Sequence, residues 1–460
     1  EANLYLEHMG LNIHQLVEMF LPSKITERNF SLWQHQQSQW CNAQVVRTHL
    51  NLTTAQSSLI CRSLSTEAKT PIPEDMRFVH QFMKGLDLWE KDQQYESGKR
   101  DFELFREILG CRYIQDSSTG EITIVAQANI CDIEDAYLNR PTYNTIARLE
   151  VFERLRRQLG WRPRELNQAI QILSGGTIDE SLLIKISHLL RLQRQAPKLS
   201  ITELLSWWGT IETGANWEPL GPFYEGENKQ KEKLSLYEKV FLDKSLYGTD
   251  LEVEKSEPRN DWSYFVLNGQ KTQLNYLEKR DPSPFGGNLS HALSPYTNSR
   301  PITDFAATVS AALGLRENEV LELSEYLSQA YVSLQSPSIY TQLNLASLSA
   351  LYRFNALSRC LKLSIHELII VHKLLTDNSF SSEWEPFPKM HAITVSLITP
   401  STLGATANAP MVSPTSRDAV ERSFTLNTVL FVEAVQQIQR SPFKIQDLAY
   451  LWHHETESTR

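Results

Sequence analysis

The stretch IARLEVFERLRRQLGWRPREL, residues 146–166, decides the fold because it contains two amphipathic helices and the corner between them. Apolar side chains recur at helical spacing before the corner and predict one buried face: Ile146, Leu149, Phe152, Leu155 and Leu159. Gly160 is predicted to end this helix, since glycine adopts the left-handed conformation without steric cost. Pro163 suits the first turn of the next helix, and Trp161 can pack against Leu166 across its start. We expect two helices joined this tightly to lie against each other.

The same corner recurs along the chain. Each copy consists of an apolar residue, a residue that caps the helix start, two further residues, and an acid or amide whose side chain can bond back to the capping residue. The seven copies begin at Leu11, Leu52, Trp161, Leu199, Leu315, Leu363 and Phe443. Their spacings are irregular, from 38 to 116 residues, whereas a strict solenoid keeps a fixed period. The sequence therefore predicts a mainly α fold: an irregular, multi-helical, solenoid-like helix-turn-helix shell with small β-containing insertions.

Changes in composition divide the chain into helical parts and insertions. A β-hairpin is predicted near residues 112–125, where residues 111–114 would pair with residues 122–125. Residues 234–242 form an amphipathic island in an otherwise aperiodic region, and residues 262–267 and 393–398 are predicted strands. The predicted segments are a helical part (1–213), an irregular excursion (214–300), a second helical part (301–375), a Ser/Thr/Pro-rich insertion (376–423) and a helical continuation (424–460).

Composition excludes several classes of protein. The 460 residues carry a formal net charge of -9, which argues against nucleic acid as a partner because phosphate binding needs clustered basic side chains. No apolar run approaches the ~20 residues that span a bilayer, and the first residues show no signal-peptide pattern. The five cysteines form no C-x-x-C pair, so we expect small buried side chains rather than disulfides or a zinc site. A start without Met and an end just after an apolar helix suggest a piece of a longer chain.

Candidate chemical motifs are weak. His366 and His372 flank Glu367 but stand six residues apart, whereas a zincin needs a spacing of four to place both histidines on one helical face. The arginines of residues 148–157 predict a solvated helix face or a contact with an acidic neighbouring subunit. The pair Trp207-Trp208 could stack on a sugar, but an apolar helix face favours a place in the core. We therefore predict no catalytic, cofactor-binding or metal-binding residues, no cofactor, and no enzyme activity.

An ordered set of pieces carries a family resemblance across about the whole chain. The pieces are FERLRRQLGW (152–161) with Glu165-Leu166, LSITELLSWWGTI (199–211), SLYEKVFL (235–242), AALGL (311–315), LYR (351–353) with LSIHEL (363–368), and DLAYL (447–451). Taken in this order, the chain resembles the A component (TcA) of the bacterial insecticidal toxin complexes, the virulence plasmid protein A family. The resemblance is to the α-helical shell region of that component.

The resemblance implies a secreted or bacterial cell-surface virulence protein. Its A subunits would form a pentamer in which the shell encloses a translocation channel for a toxin carried by the B and C components. A host-cell surface receptor or glycan would be a further partner. Only channel parts outside this chain would enter the membrane. The shell of the family opens on a change of pH, and the sequence offers four histidines that we expect near helix starts: His8, His14, His366 and His372.

Two alternatives come from other classes. A helical-repeat scaffold that binds peptides or proteins, unrelated to toxins, would show a regular concave groove and no response to pH. A hydrolase would need converging His, Asp or Glu side chains in residues 214–301 or 376–422, where the sequence offers few histidines and no motif. Glycan binding by one of these excursions is a further possibility within the toxin hypothesis.

Overall fold

The computed structural model describes residues 50, 60, 71, 74, 77–86, 88, 95–115, 122–125, 136–213, 235–242, 301–330, 340–376, 386–387 and 424–453. Of these, 71% are helical and the only sheet among them has two strands, so the predicted mainly α fold with multiple helices is confirmed. The described residues belong to two compact units. We call those up to residue 190 the N-terminal unit and those from residue 191 the C-terminal unit.

The N-terminal unit is built from helices and one small sheet. Its helices are Val79–Gly85, Tyr95–Leu109, Tyr143–Leu159, Pro163–Ser174 and the first part of Glu180–Gln195. Phe105, Phe152 and Ile170 are completely buried in its core. The ring of Tyr113 stacks on Phe152 with 5.9 Å between centroids, and the Tyr113 N–H donates to the Asn167 side chain at 3.1 Å. The apolar face predicted for residues 146–159 thus lies against the core, where Leu149 and Leu155 are also buried.

The predicted β-hairpin has the wrong partner. Strand Ile124–Val125 pairs antiparallel with Tyr137–Leu138, not with residues 111–114. Residues 112–114 form turns after the preceding helix, and the Ile114 N–H donates to the Cys111 carbonyl at 2.9 Å. The Gln115 side chain instead bonds both backbone groups of Ile122, at 2.8 and 3.1 Å. The Gln115 side chain therefore makes hydrogen bonds in place of the strand-to-strand backbone hydrogen bonds that the alternating pattern predicted.

The C-terminal unit surrounds one central helix, Leu345–Leu361. Every residue of that helix except Arg359 and Cys360 is buried, as expected of a helix that is apolar or small on all sides. The other elements of the unit are the end of Glu180–Gln195, the 3-10 helix Ile302–Phe305, and the α-helices Ile201–Leu205, Leu236–Phe241, Ala306–Leu313, Glu317–Ala330, Ile365–Thr376, Phe424–Arg440 and Ile445–His453.

The predicted corners have the predicted hydrogen bonds. In all five copies that the structure describes, the N–H of the cap residue donates to the carboxylate three residues later, which satisfies one backbone group at the helix start. The N···O distances are 2.9 Å for Arg162–Glu165, 2.8 Å for Ser200–Glu203, 2.9 Å for Arg316–Glu319, 2.9 Å for Ser364–Glu367 and 3.1 Å for Lys444–Asp447. The copies that begin at Leu11 and Leu52 lie outside the described residues.

Three of these corners also share the way in which the preceding helix ends. The last residue before the corner is left-handed, with φ of 67° at Gly160, 65° at Gly314 and 55° at Lys362. The following N–H bonds back to a carbonyl in the last turn, as in a Schellman motif: Trp161 to Arg156 at 3.3 Å, Leu315 to Ser310 at 3.0 Å and Leu363 to Ser358 at 2.9 Å. Each corner is therefore closed on both sides by short-range hydrogen bonds.

Only small parts of the two predicted excursions are described. The amphipathic island forms the helix Leu236–Phe241, which Ser235 and Glu238 cap reciprocally. Glu212 holds its start, since its carboxylate and carbonyl accept from the N–H groups of Leu236 and Tyr237, both at 2.9 Å. The strands predicted at 262–267 and 393–398 lie outside the described residues.

Candidate functional site

The Trp207-Trp208 pair, considered above for sugar stacking, lies in the core. Both indole rings are completely buried. Trp208 Nε1 donates to Thr428 Oγ1 at 2.8 Å, and that hydroxyl donates in turn to the Pro386 carbonyl. Trp207 packs edge-on against Trp208 and Phe387, with centroid distances of 6.5 and 6.3 Å. The preference for a core position is confirmed, because neither ring has a face open to a sugar.

Arg353 is the most deeply buried cation of the C-terminal unit among the described residues, at 2% exposure. Its Nε donates to the Ser206 carbonyl at 3.2 Å and its Nη2 to the Gly209 carbonyl at 2.9 Å. Its guanidinium carbon lies 5.2 Å from the centroid of the Phe387 ring, in cation–π range. The guanidinium thereby binds carbonyls at and beyond the end of helix Ile201–Leu205, where positive charge is favourable.

The sequence pattern did not predict a buried role for Arg353, although a signal was present. It is a single cation inside a long run of apolar and small residues, 345–358. A charge in such a run is expected to be paired when the helix is buried, because an unpaired buried charge is very costly. Its partners could not be predicted, since they lie 147 and 144 residues away in the chain.

His372 was predicted to lie near a helix start, and this prediction is wrong. It lies in the second half of helix Ile365–Thr376 and is 1% exposed. Its Nδ1 is 2.7 Å from the Tyr326 hydroxyl, and its ring is 5.5 Å from the Phe354 ring and 5.9 Å from the Phe431 ring. His372 is therefore a packed and hydrogen-bonded core residue that lies away from the start of its helix.

His366 does lie near the start of that helix, at its second residue, and it is exposed. Its Nδ1 is 2.7 Å from Glu322 Oε1 on the neighbouring helix Glu317–Ala330. His366 and His372 thus contact different partners and do not converge. Within the described ranges, no group of three or more His, Cys, Asp or Glu side chains could hold a metal ion. His8 and His14 lie outside those ranges.

The arginines of residues 148–157 are largely used inside the N-terminal unit. Glu153 is buried and accepts two hydrogen bonds from Arg156, at 2.7 and 2.8 Å, and one from Arg157 at 2.8 Å. Hydrogen bonds to Glu153 raise the pKa of Arg156. Arg156 also donates to the Trp161 carbonyl at 3.2 Å, and Arg157 donates to the Leu86 carbonyl. This cluster ties helix Tyr143–Leu159 to the corner that begins at Trp161.

Arg148 and Arg154 lie on the same helix but differ in their surroundings. Arg148 donates to the Tyr113 carbonyl at 2.8 Å and lies over the Tyr113 ring at 5.5 Å. Arg154 is 55% exposed and pairs with Glu150 one turn earlier at 3.9 Å. The solvated face predicted for this cluster is therefore correct for Arg154 but wrong for Arg148, whose charge is directed to Tyr113.

Arg191 and Glu433 form an ion pair that the sequence did not predict. Arg191 Nη2 donates to both carboxylate oxygens of Glu433, at 2.9 and 3.0 Å, and Arg191 Nε donates to one of them at 3.1 Å. Gln195 donates to the same carboxylate at 3.2 Å. The pair joins helix Glu180–Gln195 to helix Phe424–Arg440, 242 residues further along the chain. Its forked geometry makes it a specific link rather than a chance surface contact.

The two described cysteines are free thiols, one buried and one partly buried. Cys111 is completely buried, and burial raises its pKa. Its Sγ lies 3.3 Å from the Glu107 carbonyl and 3.6 Å from the Pro163 carbonyl. Burial also raises the pKa of Cys360 to about 11. Both thiols are therefore protonated near neutral pH and poorly suited to act as nucleophiles.

Taken together, these side chains are engaged with neighbouring residues. Each described candidate forms hydrogen bonds, ion pairs or ring contacts with neighbouring residues. None of the described helices combines the length and the apolar character that crossing a bilayer requires. A comparison with protein-family models and with curated protein sequences gives no match to this chain.

Proposed function

We propose that this chain is part of the α-helical shell of the A component of a bacterial insecticidal toxin complex. In this role it is a non-enzymatic wall that encloses a translocation channel and contributes to binding of the host cell. The resemblance of the ordered sequence pieces is the basis of the proposal. Its structural support is that each quoted piece contains or adjoins a capped helix start, and that the described corners repeat one hydrogen-bonding pattern.

A wall of this kind needs rigid joints between helix pairs, and the described corners fit that need. The left-handed ends at Gly160, Gly314 and Lys362 fix the last turn of one helix, and the carboxylate caps fix the first turn of the next. Buried polar groups such as Arg353 then link helices that are distant in sequence. The non-enzymatic role is supported by the use of Trp207, Trp208 and His372 in the core.

Under this proposal the functional partners are other proteins and the host surface. Copies of the A subunit would assemble as a pentamer, and the B and C components would deliver the toxin through its channel. A receptor or glycan on the host cell would bind the outer face. We place the assembled protein outside the bacterium, secreted or on its surface.

The oligomeric state tests the proposal most simply. The full-length A-type protein should have the mass of five chains when it is measured by light scattering at neutral pH. A protein that stays monomeric over the concentration range of the assay would overturn the shell assignment. It would favour the helical-repeat scaffold instead, since the described corners are equally compatible with a monomeric scaffold.

Binding of a glycan by one of the excursions is tested separately. The full-length protein is compared on a glycan array with a variant that lacks residues 214–234, 243–300 and 388–423, which removes both excursions but keeps the helix at residues 235–242 and the packed residue Phe387. Loss of binding in the variant, with unchanged oligomeric mass, would assign glycan recognition to the excursions. Binding that survives the deletions would remove them from this role without touching the shell assignment.

A further inference from the structure

We draw no further inference here: the strongest candidate, the apolar face that Phe443, Tyr450 and Leu451 expose along and just before helix Ile445–His453, carries nothing because the described structure does not show which helix, chain segment or partner covers it.

Discussion

Lys362 shows how a single residue can keep a corner while carrying a conformational cost. It occupies the left-handed position that glycine fills at Gly160 and Gly314, with φ of 55°. Its backbone still makes the Schellman-type bonds, through Lys362 N–H to Arg359 and Leu363 N–H to Ser358. The geometry of the corner therefore overrides the preference of the residue, and the side chain adds strain that glycine avoids.

Replacing Lys362 with glycine should stabilise the protein by about 1 kcal/mol, because it removes the steric cost of the left-handed conformation. Urea unfolding of the chain and of Lys362→Gly measures the change. Lys362→Ala is the matched control, since it removes the charge but keeps the Cβ, and it should change the free energy of unfolding by less than about 0.5 kcal/mol.

The opposite substitution tests the same reasoning at an equivalent corner. Gly314→Ala should destabilise by about 1 kcal/mol, because a Cβ at φ of 65° is strained although its nearest neighbour, an Arg359 guanidinium nitrogen, is 3.8 Å away. If Lys362→Gly failed to stabilise while Gly314→Ala was neutral, the corners would tolerate either residue and our account of them would be wrong.

Arg353 is the residue whose substitution we expect to lower the free energy of unfolding most. Arg353→Met keeps a long apolar stem but leaves the Ser206 and Gly209 carbonyls without these donors, so we expect a loss of about 2–3 kcal/mol in the free energy of unfolding. Arg154→Met is the control, since Arg154 is 55% exposed and its ion pair with Glu150 is worth less than about 0.5 kcal/mol. Equal effects of the two substitutions would contradict the role assigned to the buried guanidinium.

We expect ionisation of Tyr113 to lower the stability of the protein in alkali. Burial raises its pKa from 10.0 to about 12. Because folding raises the pKa of Tyr113, its protonated hydroxyl contributes fully to the stability of the folded state below pH 10. This contribution is lost as the pH rises towards 12. When the pH is raised from about 9 to about 11, the free energy of unfolding should therefore fall by about 1 kcal/mol less in Tyr113→Phe than in the unaltered chain.

Urea unfolding at the two pH values measures this difference. Phenylalanine retains the ring that stacks on Phe152, so the comparison isolates the ionising hydroxyl. Other groups that titrate in this range are present in both proteins and cancel in the comparison. The same alkaline loss in both proteins would show that Tyr113 ionises as readily in the folded state as in the unfolded one.

The capped corner is the element that sequence alone predicts best, because its determinants lie within a few residues of one another. All five described copies have the carboxylate bond. Two caps that use a hydroxyl where the pattern expects an acid or amide escaped prediction: Thr142 with Thr145 and Asn344 with Ser347. Hydroxyl side chains serve as well because they both donate and accept.

Elements that depend on distant partners were not predictable in the same way. Strand Ile124–Val125 was expected, but its partner Tyr137–Leu138 was not, because a two-residue strand has too little pattern to choose a register. Phe387 lies in the Ser/Thr/Pro-rich insertion, yet it packs against Trp207, Phe354 and Arg353. No local signal distinguishes such an anchoring residue from its neighbours in sequence.

Removing one cap should weaken a corner measurably. Ser364 Oγ accepts from the Glu367 N–H at 3.2 Å and donates to the Glu367 carboxylate at 2.9 Å. Ser364→Ala should therefore cost about 1 kcal/mol in the free energy of unfolding. Ser328→Ala is the matched control, because that hydroxyl donates to the Glu325 carbonyl within a helix and should change stability by less than about 0.5 kcal/mol.

Calorimetric or urea unfolding of the two serine variants makes the comparison. A cost for Ser364→Ala no larger than that for Ser328→Ala would mean that helix packing alone defines the corner. The carboxylate caps would then be incidental to the architecture, which would weaken the structural support for the proposed wall.

At the scale of the whole molecule, the sequence predicted the mainly α class, and the candidate side chains that the structure describes lie mostly in packing contacts. The periodic apolar faces made the class predictable, since they require helices that bury one side. The long-range pairs Arg191–Glu433 and Trp208–Thr428 were not predictable, because they join residues more than 200 positions apart. The proposed wall depends on both kinds of contact, short-range at the corners and long-range between helices.

An electron-microscopy image of the full-length particle tests the central claim most directly. We expect a fivefold-symmetric particle in which helical density forms a closed wall around a central channel, with residues 301–330 and 340–376 fitting that wall as paired helices. A single asymmetric chain with an open groove, or a particle in which this region lines a ligand-sized pocket, would contradict the account.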